Sequence, residues 1–251
     1  MIALLFPELR GILVIFVNPM IAENIAAVRA RVQSICGKMG READSVQLVA
    51  VSKTFGYEVV EEALGAGMRD FGENYVQELE AKHRQLAERP VRWHFVGHLQ
   101  TNKVKYIAPY VDLIHSVDNL RLAQELQKRA VQAGRTLDVL IEVHTTDEAT
   151  KYGVDPHRVV ELAKEISRLD HVRLQGLMTM GPFSEDPGDS RPSFRTVMEL
   201  KRSVENQGIE GVTMDRLSMG MTHDYEVAIE EGSTIIRIGT AIFGPRTYDR
   251  D

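Results

Sequence analysis

Cysteine is nearly missing from this chain. A single one, Cys36, among 251 residues excludes an intrachain disulfide and any zinc site built on several thiolates, and it is consistent with a reducing, cytoplasmic setting. Basic charge is also in short supply. Thirty Lys and Arg against 36 Asp and Glu leave a net charge of −6, the wrong sign for a main partner that is nucleic acid or an anionic membrane, since both select a basic face. Long apolar runs are absent as well. "GILVIFV" near the start is far too short to span a bilayer, Glu8 and Arg10 interrupt what precedes it, and no basic leader or small-residue cleavage site marks a signal peptide. Internal repeats, low-complexity tracts and composition breaks are missing, which argues for one domain. So is a GxGxxG after the first strand-like run, and that argues against a dinucleotide-binding open sheet.

What is there is a regular alternation. Residues 1–19 read as an N-terminal extension, with Asn18 and Pro19 placed as N-cap and first residue of a helix. In that helix Ile21, Ile25, Val28, Val32 and Ile35 recur at helical spacing, and Cys36 falls at its end as a small apolar residue. Strand-like runs follow at 46–53, 70–74, 92–98, 113–117, 138–144, 172–180, 216–221 and 234–244. Amphipathic stretches separate them, with apolar stripes at Leu120, Ala123, Leu126, Ala130 and at Val159, Leu162, Ala163, Ile166. Gly134 and Gly208 stand where helix C-caps are expected. The strand runs are apolar throughout, as parallel strands covered on both faces should be. Eight of them, alternating with helices over about 250 residues, predict a single (β/α)8 barrel spanning 20–251.

In that fold the functional groups project from the C-terminal ends of the strands. Read this way, strand one presents Lys53, strand two Asn74 and strand three His98. Strand seven presents Ser218 and Gly220, and strand eight Arg237, Gly239 and Thr240. Glycine-exposed N–H groups and hydroxyls after strands seven and eight suit a phosphate. A lysine ending a buried strand is either snorkelling and ion-paired or a nucleophile activated by a nearby cation such as Arg237. His94 and His98 point to one face without a third ligand, so no metal site is expected.

The segments "AVSKT", "FGENYVQE", "WHFVGHLQTNK", "GLMTM", "LSMGMTHDYEVAI" and "RIGTAIFG", met in this order, resemble the pyridoxal 5′-phosphate homeostasis protein family from about residue 20 to about 247. The resemblance implies a barrel like the N-terminal domain of alanine racemase, of PLP fold type III, that holds pyridoxal 5′-phosphate (PLP) as a Schiff base on Lys53. It further implies Ser218, Gly220, Gly239 and Thr240 around the phosphate, Arg237 facing the pyridine nitrogen, Asn74 beside the ring and His98 at the rim. The chain departs from the pattern at Phe55-Gly56, where a proline commonly follows the lysine, and at Thr222, where serine is common.

An arginine at the pyridine nitrogen disfavours protonation there and limits carbanion stabilisation. Alanine racemases work under this limit with a tyrosine supplied by a further β-domain, for which this sequence has no counterpart. The expectation is therefore a monomeric carrier that buffers PLP or delivers it to apoenzymes, without robust turnover. The alternative is a PLP-dependent racemase of weak or specialised activity, favoured if a Tyr or Cys stands opposite Lys53. A barrel aldolase acting through Lys53 is a third reading, disfavoured by the six motifs.

Overall fold

The computed structural model describes residues 19–146 and 152–245; residues 1–18 of the extension, with the expected Asn18 cap, lie outside them. The chain opens with α1 (Pro19–Lys38), whose stripe from Ile21 to Ile35 is buried together with Cys36. Eight parallel strands then close on themselves: β1 (Gln47–Val51), β2 (Asp70–Glu73), β3 (Arg92–Phe95), β4 (Leu113–Val117), β5 (Leu137–Glu142), β6 (Val172–Met178), β7 (Arg216–Met221) and β8 (Ile235–Ile238). Closure is made where β8 pairs with β1 over four residues, from Gln47 opposite Ile235 to Ala50 opposite Ile238.

The helices wrap this barrel: α2 (Tyr57–Gly65), α3 (Val76–Gln85), α4 (Val104–Ile107), α5 (Leu120–Ala133), α6 (Val159–Ile166), α7 (Arg191–Glu205), α8 (Tyr225–Glu230) and α9 (Thr240–Phe243). Local chemistry fixes their ends. The Asn119 side chain accepts from Leu122 N–H and caps α5, which stops at Gly134 in the left-handed conformation, a region that glycine, having no Cβ, enters without steric penalty. On α6, Val159, Leu162, Ala163 and Ile166 are buried against the barrel.

Two apolar clusters result. The larger lies between strands and helices; the smaller, Val49, Leu113, Leu140, Met178 and Ile235, fills the barrel's interior. Because strand side chains alternate, those interior positions place Gln47 and Val51, Glu142, and Arg237 on the same inward face, at its two ends.

One expected strand is partly a helix. The run 234–244 is strand only to Ile238; beyond Gly239 the chain turns, with Ile242 and Phe243 N–H donating to Gly239 C=O. A short apolar run carries no periodicity that separates strand from helix, and the turn is made at the barrel mouth, where pairing with β1 ends.

Candidate active-site mouth

A cavity of about 270 Å3 opens at the C-terminal end of the barrel, and its lining includes Lys53, Asn74, Arg237, Gly239 and Thr240. Five of the seven residues expected there are thus brought together. Val51, Val96 and Met180 supply apolar wall, and Thr222, His223 and Asp224 complete the side next to β7.

Lys53 sits in a tight turn directly after β1. Phe55 N–H donates to Ser52 C=O, and Thr54 N–H donates to Glu78 Oε2 at 2.7 Å. Thr54 has φ of 71°, and it is the sole non-glycine residue with positive φ among the described residues. A β-branched residue is seldom found in that region, and such strain persists where its surroundings enforce it, often at functional sites. Below the turn, Ser52 Oγ donates to Glu73 Oε1 at 2.6 Å, and Lys82 Nζ donates to the same oxygen and to Ser52 C=O. Phe55, standing where proline is common, packs its ring on Phe243 with centroids 5.6 Å apart, which ties the loop after β1 to the one after β8. Asn74 is held by close approach of backbone: a Cβ on Gly97 would come within 2.2 Å of Asn74 O.

Arg237 is almost fully buried. Its Nη1 donates to Ser218 C=O at 2.7 Å and Ser218 Oγ at 2.6 Å, and its Nη2 donates to Thr179 C=O at 2.9 Å. Burial lowers its pKa to about 10, against the opposing charges of Asp224 and Glu142, so it remains a cation at neutral pH. Glu142, inside the same end of the barrel, is pushed up to about 7 by burial and by the charge of Asp118, with Arg237 pulling the other way.

The remaining expected residues lie elsewhere. Ser218 is buried beneath Arg237 and does not line the cavity. Gly220 shapes the turn instead: its φ is +91°, and a Cβ there would come 2.6 Å from Ala228 Cβ and 2.8 Å from Tyr225 Cα, so it lets α8 pack on the end of β7. Gly220→Ala is expected to destabilise the fold by roughly 2–4 kcal/mol through combined φ strain and overpacking, seen as a lower midpoint in urea unfolding. A loss below about 0.5 kcal/mol would mean that the turn simply relaxes. His98 is outside the lining, half-exposed and stacked on Tyr152 with centroids 3.8 Å apart. Sequence reasoning missed Glu142, Thr179 and His223; only the inward alternation of β5 signalled the first.

A larger depression, about 770 Å3, lies at the opposite end and includes Arg29, Arg69 and Arg92. Those arginines are engaged, by Gly67 C=O, by Leu64 and Met68 C=O, and by Asp70, and in this fold the N-terminal face serves stability. Among the described residues, no cluster of His, Cys, Asp or Glu could hold a metal ion, and no helix is long and apolar enough to cross a membrane.

A closed eight-stranded barrel with a strand-end lysine and a buried arginine at its mouth is of the alanine racemase N-terminal domain type, and that domain family matches residues 24–247. The chain belongs to the pyridoxal phosphate homeostasis protein family. It is 46% identical over 226 residues to the "Pyridoxal phosphate homeostasis protein" of Aquifex aeolicus, covering 90% of this chain and 98% of that one. With the protein of the same name from Pseudomonas aeruginosa the identity is 42%, covering 91% and 96%. Among solved structures, PipY of Synechococcus elongatus with PLP bound superposes with a TM-score of 0.79 at 34% identity, covering 89% of this chain and all of PipY. An alanine racemase of Clostridium difficile shares the fold, with a TM-score of 0.71 at 14% identity, and this chain spans 58% of its length.

Proposed function

We propose that this protein binds PLP as a Schiff base on Lys53 and buffers or delivers it, with no robust catalysis of its own. The observation that carries the reading is the shared cavity: an amine at Lys53, a donor-only guanidinium at Arg237 and hydroxyl or glycine groups at Thr222, Gly239 and Thr240 meet at one barrel mouth. The donor set fits the cofactor. Bound PLP supplies an aldehyde and an electron-poor pyridine ring. Lys53 provides the amine for the aldehyde, and Thr222, Gly239 and Thr240 provide donors for the phosphate. Val51 and Val96 would offer apolar cover to the ring, with Asn74 beside it. Arg237 would face the ring nitrogen as a donor, and because a guanidinium cannot accept a proton there, it would favour that nitrogen unprotonated. At about 270 Å3 the cavity falls just below the roughly 300–1,000 Å3 usual for small-molecule sites, which suits one small guest better than a cofactor with a second reactant.

The alternative is a PLP-dependent amino-acid racemase. One observation favours it: His223, of a residue type often used as a general acid or base, lines the same cavity as Lys53.

The deciding experiment is borohydride reduction of PLP-loaded protein followed by peptide mass mapping, on wild type and Lys53→Ala. The expected result is one stable adduct on the peptide containing Lys53 and complete loss of it in the variant. An adduct on another lysine, or none, overturns the assignment. Alanine racemisation by the loaded wild type at ordinary enzyme rates, about 1–1,000 per second, would replace the carrier with the racemase.

A further inference from the structure

Beneath the cavity, five side chains from five strands form one continuous line of hydrogen bonds along the barrel axis. Arg237 Nη1 lies 2.6 Å from Ser218 Oγ; Ser218 Oγ lies 2.8 Å from His115 Nδ1; His115 Nε2 lies 2.9 Å from His94 Nδ1; His94 Nε2 lies 3.1 Å from Asp70 Oδ1. Ser218, His115, His94 and Asp70 are all buried. At the far end Asp70 is gripped by Arg92 through both oxygens and by Gln47 Nε2.

The chemistry at each end dictates where the protons lie. Arg237 can only donate, so Ser218 Oγ accepts from it and its own O–H goes to His115 Nδ1. His115 then carries its proton on Nε2 and donates to His94 Nδ1. His94 in turn carries its proton on Nε2 and donates to Asp70. Burial pushes His115 well below its ordinary pKa, reinforced by the cations Arg237 and Arg216. Burial alone would raise the carboxyl of Asp70, but hydrogen bonds from Arg92 and His94 outweigh it and hold Asp70 ionised. The opposite polarity would aim a bare His94 nitrogen at the Asp70 carboxylate, or require a charged His94 and leave the Ser218 hydroxyl proton without an acceptor in a buried site, which is costly.

We infer that Ser218, His115, His94 and Asp70 form a one-way polarised relay that orients the guanidinium of Arg237, with both histidines neutral and protonated on Nε2. The function of the relay rests on the reading that Arg237 faces the ring nitrogen of PLP. It carries no proton, because the guanidinium keeps its protons and only shares them in hydrogen bonds; it is a set of positioning residues. Three of the five guanidinium N–H groups are fixed by Ser218 and Thr179, which aims the rest of the fork toward the cavity that Arg237 lines. Locking a binding group through a further shell of hydrogen bonds commonly changes ligand affinity 10- to 100-fold when measured at metal sites, and preorganisation acts the same way here.

The test uses the full chain without added cofactor. Nitrogen-15 correlation spectra should show His94 and His115 neutral, with the proton on Nε2 in both, and separate, slowly exchanging Nη signals for Arg237. Ser218→Ala keeps the two carbonyl contacts of Arg237 but removes the link. It should leave the fold intact by circular dichroism, merge the Arg237 signals and speed their exchange roughly tenfold. His115→Phe, cut one member further on, should do the same to a smaller degree. An imidazolium at His94, an Nδ1 proton on His115, or Arg237 signals unmoved by Ser218→Ala would each overturn the relay. PLP titration of the same proteins then separates the two claims. Loss of Lys53 labelling in wild type counts against the cofactor reading alone. Labelled wild type with unchanged PLP affinity in Ser218→Ala counts against the relay's role.

Discussion

Lys82→Met is expected to cost about 3–5 kcal/mol of folding stability, the range for stripping one partner from a buried ion pair. Lys82 and Glu73 are both nearly inaccessible, with Nζ 2.5 Å from Glu73 Oε1. The next carboxylate, Glu78, is 3.9 Å from the amine, and Glu73 Oε2 has no hydrogen-bond partner. Burial raises the pKa of Glu73 while Lys82 and Ser52 hold it down. Without Lys82 the carboxyl rises further. A folded-state pKa above the unfolded value means that the folded form holds a proton that the unfolded chain releases, so stability is lost as pH climbs from about 4.5 toward the raised value. The variant should therefore approach wild type at pH 5 and fall furthest behind at pH 8 in urea unfolding. Adding Glu73→Gln should restore most of the loss and flatten the pH dependence. An equal deficit at both pH values would show that Lys82 acts by packing rather than charge. The pair also reaches the site, because Lys82 and Glu73 both hold Ser52, the residue before Lys53. Loosening them should slow Lys53 labelling even where the fold survives.

The parts of this molecule that were legible in its sequence are those governed by local rules. The stripe of α6 and the Gly134 end of α5 follow from side-chain periodicity and capping chemistry, and both stand where they were expected. Lys53 and Asn74 were found by asking what each strand presents at its C-terminal end, which needs only the strand boundaries and the fold class. Ser218 was expected around a phosphate; strand seven brings it near the mouth, and its buried side chain meets Arg237 one layer below the cavity lining. The relay was invisible. Its members, at positions 70, 94, 115, 218 and 237, are brought together by barrel closure, and nothing in the spacing of two histidines and an aspartate along separate strands predicts that they touch. Lys82 was hidden for another reason. In "VQELEAKHRQ" it looks like one more charge on a solvated helix, and only the packing of α3 against the turn after β1 buries it.

Arg237→Met is expected to weaken PLP binding roughly 10- to 100-fold, the equivalent of one lost hydrogen bond to a charged group. Methionine fills much of the volume but donates nothing, so under the proposed reading the ring nitrogen would lose its donor, and the Ser218 and Thr179 carbonyls lose theirs. The charge loss has a second reading. Glu142 already has a pKa of about 7, and the cation at Arg237 is what opposes its rise. In wild type, ionising Glu142 costs stability as pH increases from about 4.5 through 7, since the unfolded carboxyl has already released its proton in that window. In the variant the upper edge of the window moves to higher pH, so the stability deficit should widen between pH 7 and 8. Arg237→Lys separates the two effects. It restores the charge, and with it the wild-type pH profile, but it lacks the planar fork that reaches Ser218 and Thr179 together, so affinity should recover only in part. Equilibrium dialysis against PLP and urea unfolding from pH 5 to 8 read the two quantities independently. Full recovery of affinity by lysine would show that charge alone suffices and that the fixed geometry of the guanidinium is not what holds the cofactor. Unchanged affinity in the methionine variant would remove Arg237 from the binding site altogether, and the ring nitrogen would have to face another wall of the cavity.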